Sequence, residues 1–315
     1  MFQILSIKGT INFLRHAVAI SALSLILVIG SLASLAVNGI NWGLDFTGGT
    51  VVEMEFKNPV DLNKLRTALT SDETDGAVVQ NFGSSRDVLI RLPVKEGVKS
   101  DLQVEHVMQA ASQVDPSVTQ KRVEFVGPQV GKELAEQGGL AVLVALICIL
   151  IYVSFRFEWR LALGSVAALA HDVIITLGVF SLFQLEFDLT VLAGVLTVVG
   201  YSLNDTIVVF DRIRENFLKM RKGTPEDVVN NSITQTMSRT IITTGTTLVV
   251  VVALFLKGGT MIHGFATALL MGIFVGTFSS IYVASFLAVK LGINREHMMP
   301  VEIEKEGADQ EALMP

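Results

Sequence analysis

Residues 189–210 read LTVLAGVLTVVGYSLNDTIVVF, an apolar run whose one ionisable group is Asp205. A helix needs about 20 mostly apolar residues to cross a bilayer. This stretch therefore predicts a membrane span with a carboxyl inside it. Five stretches of the same kind surround it. Residues 17–37 and 137–155 carry no charge, and residues 161–185 hold only His171 and Asp172. Residues 240–256 carry none, and residues 262–289 hold only His263. The expected fold class is a polytopic α-helical membrane protein with six transmembrane helices, the fifth short and the sixth long enough to tilt. Composition agrees: of 315 residues half are hydrophobic and 17% charged, against about 25% charged in soluble domains. Lys8, Arg15 and the Ser34-Leu35-Ala36 triplet imitate a signal peptide. Their apolar run of 21 residues exceeds the roughly 7–15 of a signal-peptide core, so a retained first span is expected.

Lys and Arg in short loops mark the cytoplasmic side. They collect before the first run (Lys8, Arg15), between the second and third (Arg156, Arg160), between the fourth and fifth (Arg212, Arg214, Lys219, Arg221, Lys222, Arg239) and after the sixth (Lys290, Arg295). Four regions follow: residues 1–37 with a cytoplasmic N-terminus and the first span, 38–136 outside, 137–290 carrying spans two to six, and 291–315 as a cytoplasmic acidic tail, expected to be disordered. Both termini face the cytoplasm. The outer segment alternates at period two over residues 50–56, 77–82, 87–92 and 121–126, predicting strands. Gly83, Ser84 and Ser85 supply turn chemistry between the middle two. Residues 61–69 place Leu62, Leu65 and Leu69 on one helix face, and Ser100 with Gln103 reads as the capping box of a second helix. The order β-α-β-β-α-β predicts one external α+β domain, ferredoxin-like, between the first two spans. Such a fold names no function by itself.

Ionisable groups inside spans are costly, roughly 2.5–3.5 kcal/mol for an Asp at the helix centre, and tend to be functional. Asp205 sits beside Asn204 among Gly200, Tyr201, Ser202 and Thr206, one to two turns inside the bilayer. It reads either as a group that binds and releases protons or as a local cap reaching the headgroups. Arg239 opens the fifth span, and Gln235, Thr236, Thr243, Thr246 and Thr247 continue a polar stripe expected to point inward or into a water-filled cavity. Arg239 is either the counter-charge of Asp205 or a positive-inside anchor. His171 and Asp172 lie near mid-bilayer, with Gly164, Ala167, Ala168 and Gly178 on the face of His171. They are candidates for a proton relay or a helix–helix contact. Gly272 and Gly276 form a weak packing motif, and His263 is expected at the interface.

Other chemistries find little support. Cys148 is the only cysteine, so no intrachain disulfide and no cysteine-based metal site is expected; it reads as a small packing residue. Gly127-Pro128-Gln129-Val130-Gly131-Lys132-Glu133 imitates a phosphate loop, but its glycines are one residue too close and Glu133 replaces the hydroxyl. No catalytic residue, cofactor or nucleic-acid partner is expected. An intramembrane hydrolase would need a metal-binding histidine motif, a Ser–Lys pair or an Asp pair at suitable spacing, and none is present.

Several segments together carry a family resemblance. Gly43-Leu44-Asp45-Phe46-Thr47-Gly48-Gly49 resembles the G-x-D-F-x-G-G signature that follows the first span of the SecD and SecF export proteins. Val126-Gly127-Pro128-Gln129-Val130-Gly131 resembles the segment leading into their second span. YSLNDTIVVFDRIREN over residues 201–216 resembles the fourth-span signature of the SecF branch, as Ser238-Arg239-Thr240 with Thr243-Thr244-Gly245-Thr246-Thr247 resembles its fifth-span opening. Residues 279–285, SSIYVAS, are similar to its sixth span. The resemblance implies a resistance-nodulation-division architecture in the bacterial cytoplasmic (inner) membrane. It implies proton-motive-force-driven, late-stage export of preproteins, with SecD, the SecY–SecE–SecG channel and the translocating preprotein as partners and YajC and YidC as further candidates. It also implies that Asp205 and Arg239 are the proton-coupling pair; Asn204 and Thr243, like His171 and Asp172, are candidates for a proton relay or a helix contact. A small-molecule exporter half of the same superfamily and a non-conducting scaffold for SecD are the alternative functions.

Overall fold

The structure, a computed structural model, describes residues 9–70, 74–82, 84–94 and 100–298. Gly83 of the expected turn and the tail from residue 299 lie outside the described residues. A short 3₁₀ turn, Leu14–His16, leads into α1 (Ala17–Asn38). A two-residue strand β1 (Asn41–Trp42) and a single helical turn α2 (Leu44–Thr47) follow. The α+β domain runs β2 (Gly49–Glu55), α3 (Leu62–Ala68), β3 (Val78–Phe82), β4 (Ser84–Leu92), α4 (Ser100–Val114) and β5 (Thr119–Val126). The remaining long helices are α5 (Pro128–Arg156), α6 (Trp159–Leu182), α7 (Leu189–Lys219), α8 (Pro225–Lys257) and α9 (Thr260–Phe278). A two-residue strand β6 (Glu186–Phe187) lies between α6 and α7. A π-helical turn, Ser279–Ala284, joins α9 to α10 (Ser285–Lys290), so α9, the π turn and α10 make one span.

Among the described residues six helices are long and apolar enough to cross a membrane, as expected. Three overrun their apolar stretches. Pro at the first helical position starts α5 well before residue 137, because its missing N–H is one no helix needs there. At the opposite end of the bundle α7 continues to Lys219, and α8 begins at Pro225 behind a capping box of Thr224 and Asp227. The expected charged loop between spans four and five is therefore a helical hairpin. Asn216 ties its arms, donating to Ser232 Oγ at 2.9 Å and Gln235 Oε1 at 3.1 Å. The N-terminal segment docks on it: Leu14 N donates to Asn230 Oδ1 at 3.0 Å and Ile11 N to Thr234 Oγ1 at 3.1 Å.

The α+β sheet has strand order β3-β4-β2-β5 with every neighbouring pair antiparallel. Period-two alternation sends Val52 and Met54 of β2 and Val88, Ile90 and Leu92 of β4 to one face, where Leu65, Leu69, Val107 and Ala111 of the two helices cover them. The other face carries a smaller cluster of Leu44, Val51 and Leu89 against Val126. Ser100 is the first residue of α4, and Gln103 is buried with its amide 3.5 Å from the Pro93 carbonyl.

Within the bundle α7 is central. Glycines set its approach to α9: a Cβ on Gly272 would fall inside the Val198 side chain, and one on Gly194 would sit 3.2 Å from Ala268 Cβ. Likewise a Cβ on Gly178 would fall inside Ser31, so α1 packs closely on α6, and Ser34 Oγ meets Ser181 Oγ at 3.0 Å. Small residues that let backbones approach are the usual means of packing helices in lipid. The apolar windows of α1 and α5 are 0% and 6% buried against 56% for α6. Both helices thus lie at the edge of the bundle, with few fully buried residues. Cys148, read from sequence as a packing residue, is exposed on α5 for this reason.

Candidate functional site

A polar centre joins three spans. Asp172 of α6 is fully buried, and two of its side-chain contacts cross to other helices. Its Oδ2 accepts hydrogen bonds from Ser202 Oγ of α7 at 2.5 Å and from Ser279 Oγ of the π turn at 2.7 Å. Its Oδ1 lies 2.8 Å from Nδ1 of His171. Gly276 leaves room for it: a Cβ there would stand 3.3 Å from Asp172 Oδ2. His171, also buried, has Nε2 without a partner among the described residues. The expected small residues around His171 serve different neighbours. Gly164 meets the Ala284 carbonyl of the sixth span and Gly178 meets α1. Of the two readings of this pair, Asp172 fits the helix–helix contact, because its oxygens are already engaged by three donors. The sequence marks Ser202 as a neighbour of Asp205 and Ser279 as part of the sixth-span motif, but neither as a partner of Asp172, because only the crossing of three helices brings the two to one carboxylate.

Asp205 lies one turn further along α7 from Ser202. It is 3% exposed, and its Oδ2 is buried with no hydrogen-bond partner among the described residues. Leaving a buried carboxylate oxygen unpaired is costly. A bound proton or a donor from outside this chain removes that cost. Arg239 of α8 is near enough for its charge to act on Asp205, but no direct ion pair joins them. The arginine is exposed on the single chain, as are Gln235 and Thr246 of its stripe and Asn204 beside Asp205. On the single chain the expected stripe therefore divides, Thr236 being buried while Gln235, Arg239 and Thr246 are exposed. The buried face of α8 is Thr236, Thr240, Thr244 and Val251. The rest of the stripe faces out of the bundle, with Thr243 Oγ1 returning to the Arg239 carbonyl at 3.0 Å and Thr246 Oγ1 to that of Ile242 at 2.9 Å. Gly200 and Gly245 on the same side have open space where a Cβ would stand. His263 is exposed at the start of α9 with its ring against Phe255.

The glycine signature forms the joint between sheet and spans. Gly48 and Gly49 have φ of +67° and +125°, which an L side chain rarely adopts. A Cβ on Gly131 would lie 3.0 Å from Gly48 N, so the segment around Gly127, Pro128 and Gly131 packs backbone to backbone on the Gly43–Asp45–Phe46–Gly48–Gly49 turn.

Six helices of membrane-spanning length with one α+β domain between the first two define, among the described residues, a polytopic membrane protein with a small sheet domain. The comparisons narrow this. Residues 106–294 match the family described as protein export membrane protein SecD/SecF, C-terminal, and residues 33–60 match the SecD/SecF GG motif. The protein translocase subunit SecF of Vibrio alginolyticus is 60% identical over 98% of this chain and 98% of its own length. That of Escherichia coli O157:H7 is 51% identical over 96% and 95%. The crystal structure of SecDF, a translocon-associated membrane protein from Thermus thermophilus, superposes with a TM-score of 0.80 at 40% identity, covering 90% of this chain and 39% of that longer one. The chain belongs to the SecD/SecF family of protein-export membrane proteins, on its SecF branch of protein translocase subunits.

Proposed function

We propose that this chain pairs with a SecD half in the bacterial cytoplasmic membrane and uses the proton motive force to promote late-stage preprotein export through the SecY–SecE–SecG channel. YajC and YidC are further candidate partners. Asp205 is the proton-binding group and Arg239 its counter-charge. The observation that carries the reading is the buried Oδ2 of Asp205, which has no hydrogen-bond partner among the described residues. Pairing with SecD is supported by the exposed polar patch of Asn204, Arg239 and Thr246 flanked by Gly200 and Gly245. At membrane depth such a patch requires a covering helix, and the small residues fit one. Asp172, engaged by Ser202, Ser279 and His171, holds the bundle beside the site.

Arg239→Ala is expected to remove the gradient-stimulated part of export in membrane vesicles while SecD still co-purifies at normal yield. Arg239→Lys retains part of the stimulation if charge alone matters and little if the forked guanidinium does. Full stimulation in the alanine variant would show that Arg239 is an anchor rather than a counter-charge. In the proposed orientation both termini and the α7–α8 hairpin are cytoplasmic and the α+β domain is outside. In a Cys148→Ala background, an impermeant thiol reagent on spheroplasts should label Arg86→Cys and leave Lys222→Cys unlabelled until lysis. The reverse pattern would invert the topology.

A further inference from the structure

The glycine signature does more than turn the chain. Leu189 is the first residue of α7, and its N–H donates to Oδ2 of Asp45 at 2.9 Å. Asp188, the helix's own cap, accepts from Val191 N at 2.8 Å. The start of α7 is therefore held by two carboxylates, one from its own chain segment and one from the distant signature. An anion fits both the unpaired N–H groups and the positive dipole end of a helix. Beside it β1 pairs in parallel with β6, matching Asn41 to Glu186 and Trp42 to Phe187, and Gly43 N donates to the Phe187 carbonyl at 2.8 Å. Trp42, Phe46, Phe180 and Phe187 close the joint with ring contacts of 5.5–6.2 Å.

The same turn is fixed to the sheet above it. Arg91 of β4 reaches down to the Trp42 carbonyl at 2.9 Å and forms an ion pair with Glu186 at 2.7 Å, the two side chains 14% and 26% exposed. Leu44 of α2 lies under Val51 of β2 and Leu89 of β4. On the other flank Phe46 sits against α5 at Gly138, where an added Cβ would stand 3.8 Å from its ring. The turn therefore touches the sheet, α5 and the first residue of α7. Asp205 follows on that same helix, about 24 Å from Leu189 at 1.5 Å per residue.

We infer that residues 43–49 form a strut that makes α7 and the α+β sheet one mechanical body, with Asp45 as the positioning residue at its joint. A tilt or axial shift of α7 moves Leu189, and through Asp45, the β1–β6 pair and Arg91 it moves the sheet. Asp45 touches no proton or preprotein; it acts by holding α7. The inference rests on the proposed coupling role of Asp205.

The test uses the full chain with its SecD partner in vesicles. Asp45→Ala should lower the gradient-stimulated component of export about fivefold, the loss of roughly one helix-end hydrogen bond. Export without a gradient and SecD yield should be unchanged. Asp45→Asn keeps an oxygen that accepts from Leu189 N and should recover most of the stimulation. Hydrogen exchange at residues 189–191 should rise in the alanine variant and not in the asparagine variant. Asn41→Cys with Glu186→Cys, in a Cys148→Ala background, gives up the Arg91–Glu186 ion pair, but its stimulation should be no lower oxidised than reduced, because a permanent joint tolerates a covalent bond. Two results overturn the strut: full stimulation in Asp45→Ala, or loss of stimulation on oxidation that reduction restores. Asp205→Asn run alongside separates the layers. If it keeps full stimulation, the coupling reading fails; if it loses stimulation while Asp45→Ala does not, only the strut fails.

Discussion

Asp205→Asn should abolish proton-driven stimulation of export and leave assembly with SecD intact. Asparagine has nearly the size of a protonated aspartic acid and offers hydrogen bonds, but it cannot ionise. It therefore fixes the site in a protonated-like state. One proton crossing 100 mV gains about 2.3 kcal/mol, enough to bias a two-state domain roughly fiftyfold, and that whole factor should vanish. A purely structural Asp205 gives a different outcome. Its Oδ2 is already buried without a partner, so a neutral amide would be tolerated or stabilising in a low-dielectric interior. The measurement is preprotein export into membrane vesicles with and without a gradient. Full stimulation at normal SecD levels would remove Asp205 as the switch and bring forward the scaffold role.

The second large effect is on folding. Gly272 has no room for a side chain, because its Cβ would overlap Val198, which is itself fully buried on α7. Gly272→Leu should cost about 3 kcal/mol or more through overpacking, seen as a lower melting temperature in detergent and faster proteolysis. Gly272→Ala should cost less, and Val198→Ala in the same chain should restore part of the loss. A double-mutant cycle then gives the coupling between the two sites. Gly139→Ala on α5, where a Cβ meets nothing within 4 Å, is the control and should be neutral. An unchanged melting temperature in Gly272→Leu would mean that α9 does not pack on α7 as described.

The spans were legible because length and charge are one-dimensional: an apolar run of membrane length needs no knowledge of its neighbours. The strands of the outer domain were legible for a similar reason, since period-two alternation at Val52 and Met54 fixes which face is covered. Asp205 and Arg239 stood out as isolated charges in or beside apolar runs. Periodicity failed where the question was which neighbour a face meets. The stripe of Gln235, Arg239, Thr243 and Thr246 has the spacing of one helix face. Only the packing of Thr240, Thr244 and Val251 onto the bundle shows that the stripe points away. Asp172 was visible, but its donors were not, because Ser202 and Ser279 come from two other helices and one of them sits in a π turn. Asp45 was visible as part of a signature, and nothing local connects it to an amide 144 residues later.

The π turn at Ser279–Ala284 also governs what changes of length the sixth span tolerates. Its widened turn carries the helix from one neighbour to another. Before it Gly272 and Gly276 face Val198 and Ser202 of α7, and after it Ala284 meets Gly164 of α6. Deleting one codon inside the turn would close it to an ordinary α-helical turn. The lost residue and the closed turn offset each other, so the helix beyond would keep its facing, whereas a codon lost from the α-helical part before the turn would rotate everything after it by about 100°, one residue of an α-helix. A codon lost near Lys290 would only shorten the end. The span thus has a reading frame of its own, and the loss of one residue is absorbed at the wide turn or at its far margin but not in the α-helical stretch that packs on α7.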